Sequence, residues 1–115
     1  MARITKREQA NCKWFKAEVG KRLEALGATK DETKTYPYLL DTGIGSLRIA
    51  PDLDWVACQW VDLEHVKHTL RDPRLNRCSG KWNHHYDRSL FTSRYTAQAA
   101  IDDFFYKLRI FLPAT

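Results

Sequence analysis

The chain has 115 residues, 43% hydrophobic and 29% charged, which suffices for one core and lies outside the compositional range of disordered segments. Nineteen Lys and Arg against 14 Asp and Glu give a formal charge of +5, so a polyanion is a permissible partner without being demanded. Three cysteines at wide spacing, Cys12, Cys58 and Cys78, argue against a secreted disulfide framework, and no run reaches the roughly 18 apolar residues of a membrane span; a cytoplasmic protein with no membrane contact is expected.

Thr5 and Glu8 have the spacing of a capping box, in which the hydroxyl accepts from the Glu8 amide and the carboxylate reaches back to the Thr5 amide. At about 3.6 residues per turn, Cys12, Phe15, Val19, Leu23 and Leu26 form one apolar stripe, and Gly27 supplies the stop. Residues 28–34 are polar and read as a loop. Tyr36, Tyr38 and Leu40 then alternate with Pro37 and Leu39, which predicts a strand that is an edge or has Pro37 at its beginning.

After the turn signals at 41–45, Ser46 to Ile49 and Trp55 to Val61 read as two more strands, separated by Pro51-Asp52-Leu53-Asp54. Asp62 is placed to cap a short helix from Leu63 to Leu70, with Asp72-Pro73 preventing continuation. Arg71 to Gly80 reads as a loop, and Lys81 to Tyr86 as a fourth strand. Ala97, Ala100, Ile101, Phe104, Phe105, Leu108, Phe111 and Leu112 recur at three and four, predicting a final helix capped by Thr96 and ended by Pro113.

The expected fold is α+β: a single two-layer domain over residues 1–115, in the order α-β-β-β-α-β-α. Its mostly antiparallel four-stranded sheet carries two long helices on one face, which leaves the other face available.

The densest cluster of functional groups is Cys78-Ser79-Gly80-Lys81-Trp82-Asn83-His84-His85-Tyr86. It matches no motif whose spacing fixes a reaction. Metal binding has His65, His68 and Cys78 as weak candidates, since two histidines three apart on a helix can share an ion. No CxxC pair or HExxH helix supports it, so ordinary surface histidines are the simpler reading, and neither metal nor cofactor is expected. Acid-base chemistry would draw on His84 or His85 with Lys81, because imidazole titrates near neutrality and a cation stabilises a charged transition state. Adjacent strand residues point to opposite faces, so only one histidine joins any one cluster.

Binding through aromatics and cations has the broadest support. Trp14 lies among Lys6, Arg7, Lys13 and Lys21 on the first helix, placed to stack on a base; the alternative is that it widens the buried stripe. Trp82, His84 and Tyr86 share one face of the fourth strand, and core-facing is the commoner fate of such a face. Asn83 and His85 then line the open face with Arg48, and Arg74, Arg77, Lys81 and Arg88 supply cations nearby. Trp55 and Trp60 point oppositely, so one of them lies outside the main core.

The leading expectation is therefore a small non-catalytic binding domain contacting nucleic acid through Trp14, Arg48, Arg74, Arg77, Lys81, Asn83, His85 and Arg88. One alternative is a modulator or inhibitor of a protein or nucleoprotein partner, with the same groups as anchors. A second is a small histidine-dependent nuclease built on His84, His85 and Lys81.

Overall fold

A computed structural model describes residues 5–71 and 80–112. Among the described residues, three helices and a five-stranded antiparallel sheet make a small α+β fold. The elements in chain order are α1 (Lys6–Ala25), β1 (Thr29–Lys30), β2 (Tyr38–Asp41), β3 (Ser46–Pro51), β4 (Trp55–Trp60), α2 (Leu63–Leu70), β5 (Lys81–His85) and α3 (Arg94–Leu108). Short 3-10 turns at Arg88–Thr92 and Arg109–Phe111 flank α3. The strands lie side by side in sequence order, each antiparallel to the next, with α2 in the connection between β4 and β5.

Helix α1 starts where the capping residues place it, with Thr5 Oγ1 accepting from the Glu8 amide at 3.1 Å. Only this half of the capping box forms. At its end, the Gly27 amide donates to Glu24 O and the Ala28 amide to Leu23 O, both at 3.0 Å, while Gly27 takes φ 100°. These two bonds are a Schellman stop, and the left-handed position between them suits glycine. Cys12, Phe15, Val19 and Leu23 are buried as the stripe predicts, but Leu26, at the cap, is 46% exposed.

Four strands were expected and five form among the described residues. The difference is β1, inside the segment read as a loop: Thr29 pairs with Leu39 and Lys30 with Tyr38. Two residues are too short to display a period, and their strand character comes from satisfying the free edge of β2. Pro37 falls immediately before β2, so its missing amide removes no rung.

The N-cap of α3 is Ser93 rather than Thr96. Ser93 Oγ accepts from the Thr96 amide at 3.2 Å, and the Thr96 hydroxyl donates to Leu90 O instead, tying the helix to the preceding turn. That turn had no periodic signal, yet Phe91 within it is fully buried, edge-on to Phe15 with centroids 5.3 Å apart. Burying a Phe of this kind contributes about 1.5 to 3 kcal/mol, so a five-residue turn is a substantial part of the core. Asn11 holds it from α1, its Nδ2 donating to Phe91 O at 2.7 Å. Pro113, expected to end the last helix, lies outside the described residues.

The core joins the inner faces of α1 and α3 to strand residues of one parity: Tyr38, Leu40, Leu47, Ile49, Val56, Cys58 and Trp60. Helix α2 is capped by Asp62, whose Oδ1 accepts from the His65 amide at 3.1 Å, and it contributes the buried Val66. No helix among the described residues is long and apolar enough to cross a membrane.

Candidate functional site

Strand side chains alternate between faces, so the residues between the core positions must share the opposite surface. Registry arranges them in rows. Leu39 lies opposite Arg48, Arg48 opposite Gln59, and Gln59 opposite Lys81, giving one row across four strands. A second row, Ala50, Ala57 and Asn83, is floored by two methyl groups. Trp55 and His85 make the third.

Backbone bonding explains why that third row is an aromatic pair. The Tyr86 amide donates to Asp54 O and the Trp60 amide to Gly80 O, both at 2.9 Å, which assigns the bonded rungs of this ladder to alternate residues. Trp55 and His85 fall between those rungs, where facing side chains come closest. Their rings stack with centroids 5.7 Å apart and planes 7° from parallel.

At the other end of the face, a depression of about 730 Å³ runs over Leu39, Ser46, Arg48, Gln59 and Val61, walled by the β1–β2 connection. Asp31 shapes the wall. Its amide donates to Pro37 O at 2.7 Å, and its Oδ1 accepts from the Thr33 hydroxyl at 2.6 Å and the Thr33 amide at 3.0 Å. Those two bonds, the hydroxyl's foremost, hold the Asp31 carboxyl below its ordinary range.

Arg48 and Lys81 are exposed, and among the described residues neither has a carboxylate within ion-pair distance. The charged groups on this face are thus available to a ligand. Arg48, Lys81, Asn83 and His85, singled out from the sequence, do come together here. Trp55 and Gln59 join them and were missed as site residues. The parity that pairs Trp55 against Trp60 carried the signal, since Trp60 is 3% exposed and leaves Trp55 to the other face.

The remaining candidates lie elsewhere. Trp14 is half-buried against the core in the helical layer, and the Arg94 guanidinium lies over its ring, 4.6 Å from the centroid. It therefore widens the buried side of α1 instead of joining the sheet-face cluster. Arg88 opens the turn before α3; burial foremost raises the pKa of the Cys12 thiol on α1, with Asp54 adding to the rise and the Arg88 charge opposing it. Arg74, Arg77 and Cys78 fall outside the described residues. His65 and His68 are both exposed on α2, and among the described residues no three His, Cys, Asp or Glu side chains converge as a metal site would require.

His84 turns inward with Trp82 and Tyr86. Trp82 Nε1 donates to His84 Nε2 at 2.9 Å, which leaves the imidazole proton on Nδ1, and the ring stands edge-on to Phe104 with centroids 5.4 Å apart. Burial, aided by the Lys107 charge and opposed by Asp103, lowers the His84 pKa. Beside it the Tyr86 hydroxyl donates to Asp103 Oδ2 at 3.0 Å, and Lys107 Nζ lies 3.0 Å from the same oxygen. Burial foremost, with that carboxylate contact, raises the Tyr86 pKa. Cys58 is equally inert as a nucleophile, its thiol pushed up to about 12 by burial.

The open face can thus offer a flat aromatic surface, two cations without an ion-pair partner among the described residues, and an amide pair around a small-residue floor. Comparison with protein-family models, curated proteins and solved structures yields no match.

Proposed function

We propose that this chain is a single two-layer binding domain, both long helices on one side of the sheet, whose free sheet face holds single-stranded nucleic acid without chemistry of its own. The observation carrying this reading is the Arg48, Gln59 and Lys81 row lying parallel to the stacked Trp55–His85 pair, with the Ala50–Ala57 floor between them. Cations at that separation meet phosphates while a base stacks on the indole, and the small floor lets the sugar-phosphate chain approach the backbone. Asn83 supplies a donor and an acceptor for a base edge. The described thiols, Cys12 and Cys58, are buried and unpaired, which agrees with a reducing cytoplasm.

The protein-partner reading has its own support in Tyr95 and Tyr106, 86% and 72% exposed. Eleven residues are about three helical turns, so both stand on one side of α3. A nuclease has less to work with, because His84 faces the helices and leaves His85 and Lys81 alone on the open face.

Fluorescence anisotropy of a labelled single-stranded oligonucleotide over a salt series tests the proposal. Binding should weaken linearly in log salt, Arg48→Gln and Lys81→Gln should each reduce the slope by about 0.7, and Trp55→Ala should cost about 1 to 3 kcal/mol. Variants that bind like the unaltered chain would refute it, and oligonucleotide cleavage lost in His85→Ala would favour the nuclease.

A further inference from the structure

On the far side of the β1–β2 edge from the sheet-face depression, a second cleft of about 600 Å³ opens between α1 and the hairpin. Pro37 lines both depressions, so only the edge of the sheet separates them. Lys13 and Lys16 enter the cleft from α1, one turn apart on one side of the helix. Lys30 enters from β1, with Nζ 3.0 Å from Glu32 and over the Tyr38 ring at 5.7 Å from its centroid.

The balance of charge in this cleft is unequal. Glu32 answers Lys30, whereas among the described residues Lys13 and Lys16 have no ion-pair partner. Three other helix lysines are paired along the chain, Lys21 with Glu18 at 3.4 Å, Lys67 with Glu64 at 3.5 Å and Lys107 with Asp103 at 3.0 Å, while Lys6 at the start of α1 has no ion-pair partner among the described residues and does not line the cleft. Two unanswered ammonium groups at a concave site attract an anion more strongly than the same charges on a convex surface.

We infer that this cleft is a second phosphate subsite for the same strand, which leaves the open face over Pro37 and continues round the sheet edge to Lys13 and Lys16. The inference rests on the nucleic-acid reading of the open face and extends it to a footprint longer than that face. Lysine suits the task, since a point charge on a flexible stem meets phosphate without reading sequence.

The test compares a tetranucleotide, short enough for the open face, with a dodecanucleotide of the same base, each titrated over a salt series. For the dodecamer, the Lys13→Gln, Lys16→Gln double variant should reduce the salt slope by about 1.4, two contacts at about 0.7 each. For the tetramer it should change nothing. A control double variant, Lys21→Gln with Lys67→Gln, removes equal charge elsewhere and should leave both slopes intact. Equal losses in control and test, or an unchanged dodecamer slope in the test variant, overturn the subsite while leaving the open face standing. If the unaltered chain binds neither oligonucleotide, both ideas fall together.

Discussion

His84 and His85 are neighbours in the chain yet meet different chemistry, because the strand period sends one toward Phe104 and the other onto Trp55. Burial first, then the nearby Lys107 ammonium, disfavours a charged His84, while the Asp103 carboxylate only partly compensates. A folded-state pKa below the ordinary value of about 6.5 means that, as pH falls through that value, the unfolded chain takes up a proton which the folded chain does not. Stability should therefore decline from about pH 6.5 downward and level off once folded His84 is itself protonated. Urea denaturation at a series of pH values should show this decline, and His84→Gln should flatten it. An identical pH profile in the variant would place the titrating group elsewhere.

Helix α1 contains a glycine where helix propensity would prefer alanine by about 1 kcal/mol, and the reason lies in its contact with β2. Gly20 is buried, and a Cβ built there would collide with the Tyr38 hydroxyl and approach its Cζ to 3.0 Å. Tyr38 is itself 7% exposed and has little room to withdraw. Overpacking of this kind costs about 1 to 3 kcal/mol, so Gly20→Ala should lose up to about 2 kcal/mol in denaturant titration once the helical gain of about 1 kcal/mol is subtracted. Adding Tyr38→Phe, which removes the colliding oxygen, should restore part of the loss. A Gly20→Ala protein more stable than the unaltered chain would mean that the ring moves aside. The same close approach explains why this glycine gave no sequence signal: it serves a contact eighteen residues away in the chain, not a turn of its own.

Across the molecule, long periodic elements were legible and short or tertiary ones were not. The stripe of α1 and the apolar run of α3 follow from spacing, and the α2 boundaries from the Asp62 cap and the Asp72-Pro73 stop. Strand β1 and the Arg88–Thr92 turn did not, since each is defined by partners distant in sequence: the edge of β2 for one, Phe15 and Asn11 for the other. Of the candidate site, parity placed Arg48, Asn83 and His85 on one face but gave no sheet registry, and registry is what brings Lys81 into line with Arg48 and Trp55 onto His85. The two readings of Trp14 could not be separated from sequence, because a helical wheel shows its cationic neighbours and not the Arg94 side chain arriving from α3. The proposed ligand, a single-stranded nucleic acid, lies on the exposed sheet face. A two-dimensional amide and indole NMR titration with a single-stranded oligonucleotide would locate it on the molecule. Binding there should concentrate shifts at Arg48, Ala57, Gln59, Asn83, His85 and the Trp55 indole; shifts gathered instead around Tyr95 and Tyr106, or none anywhere, would rule this surface out.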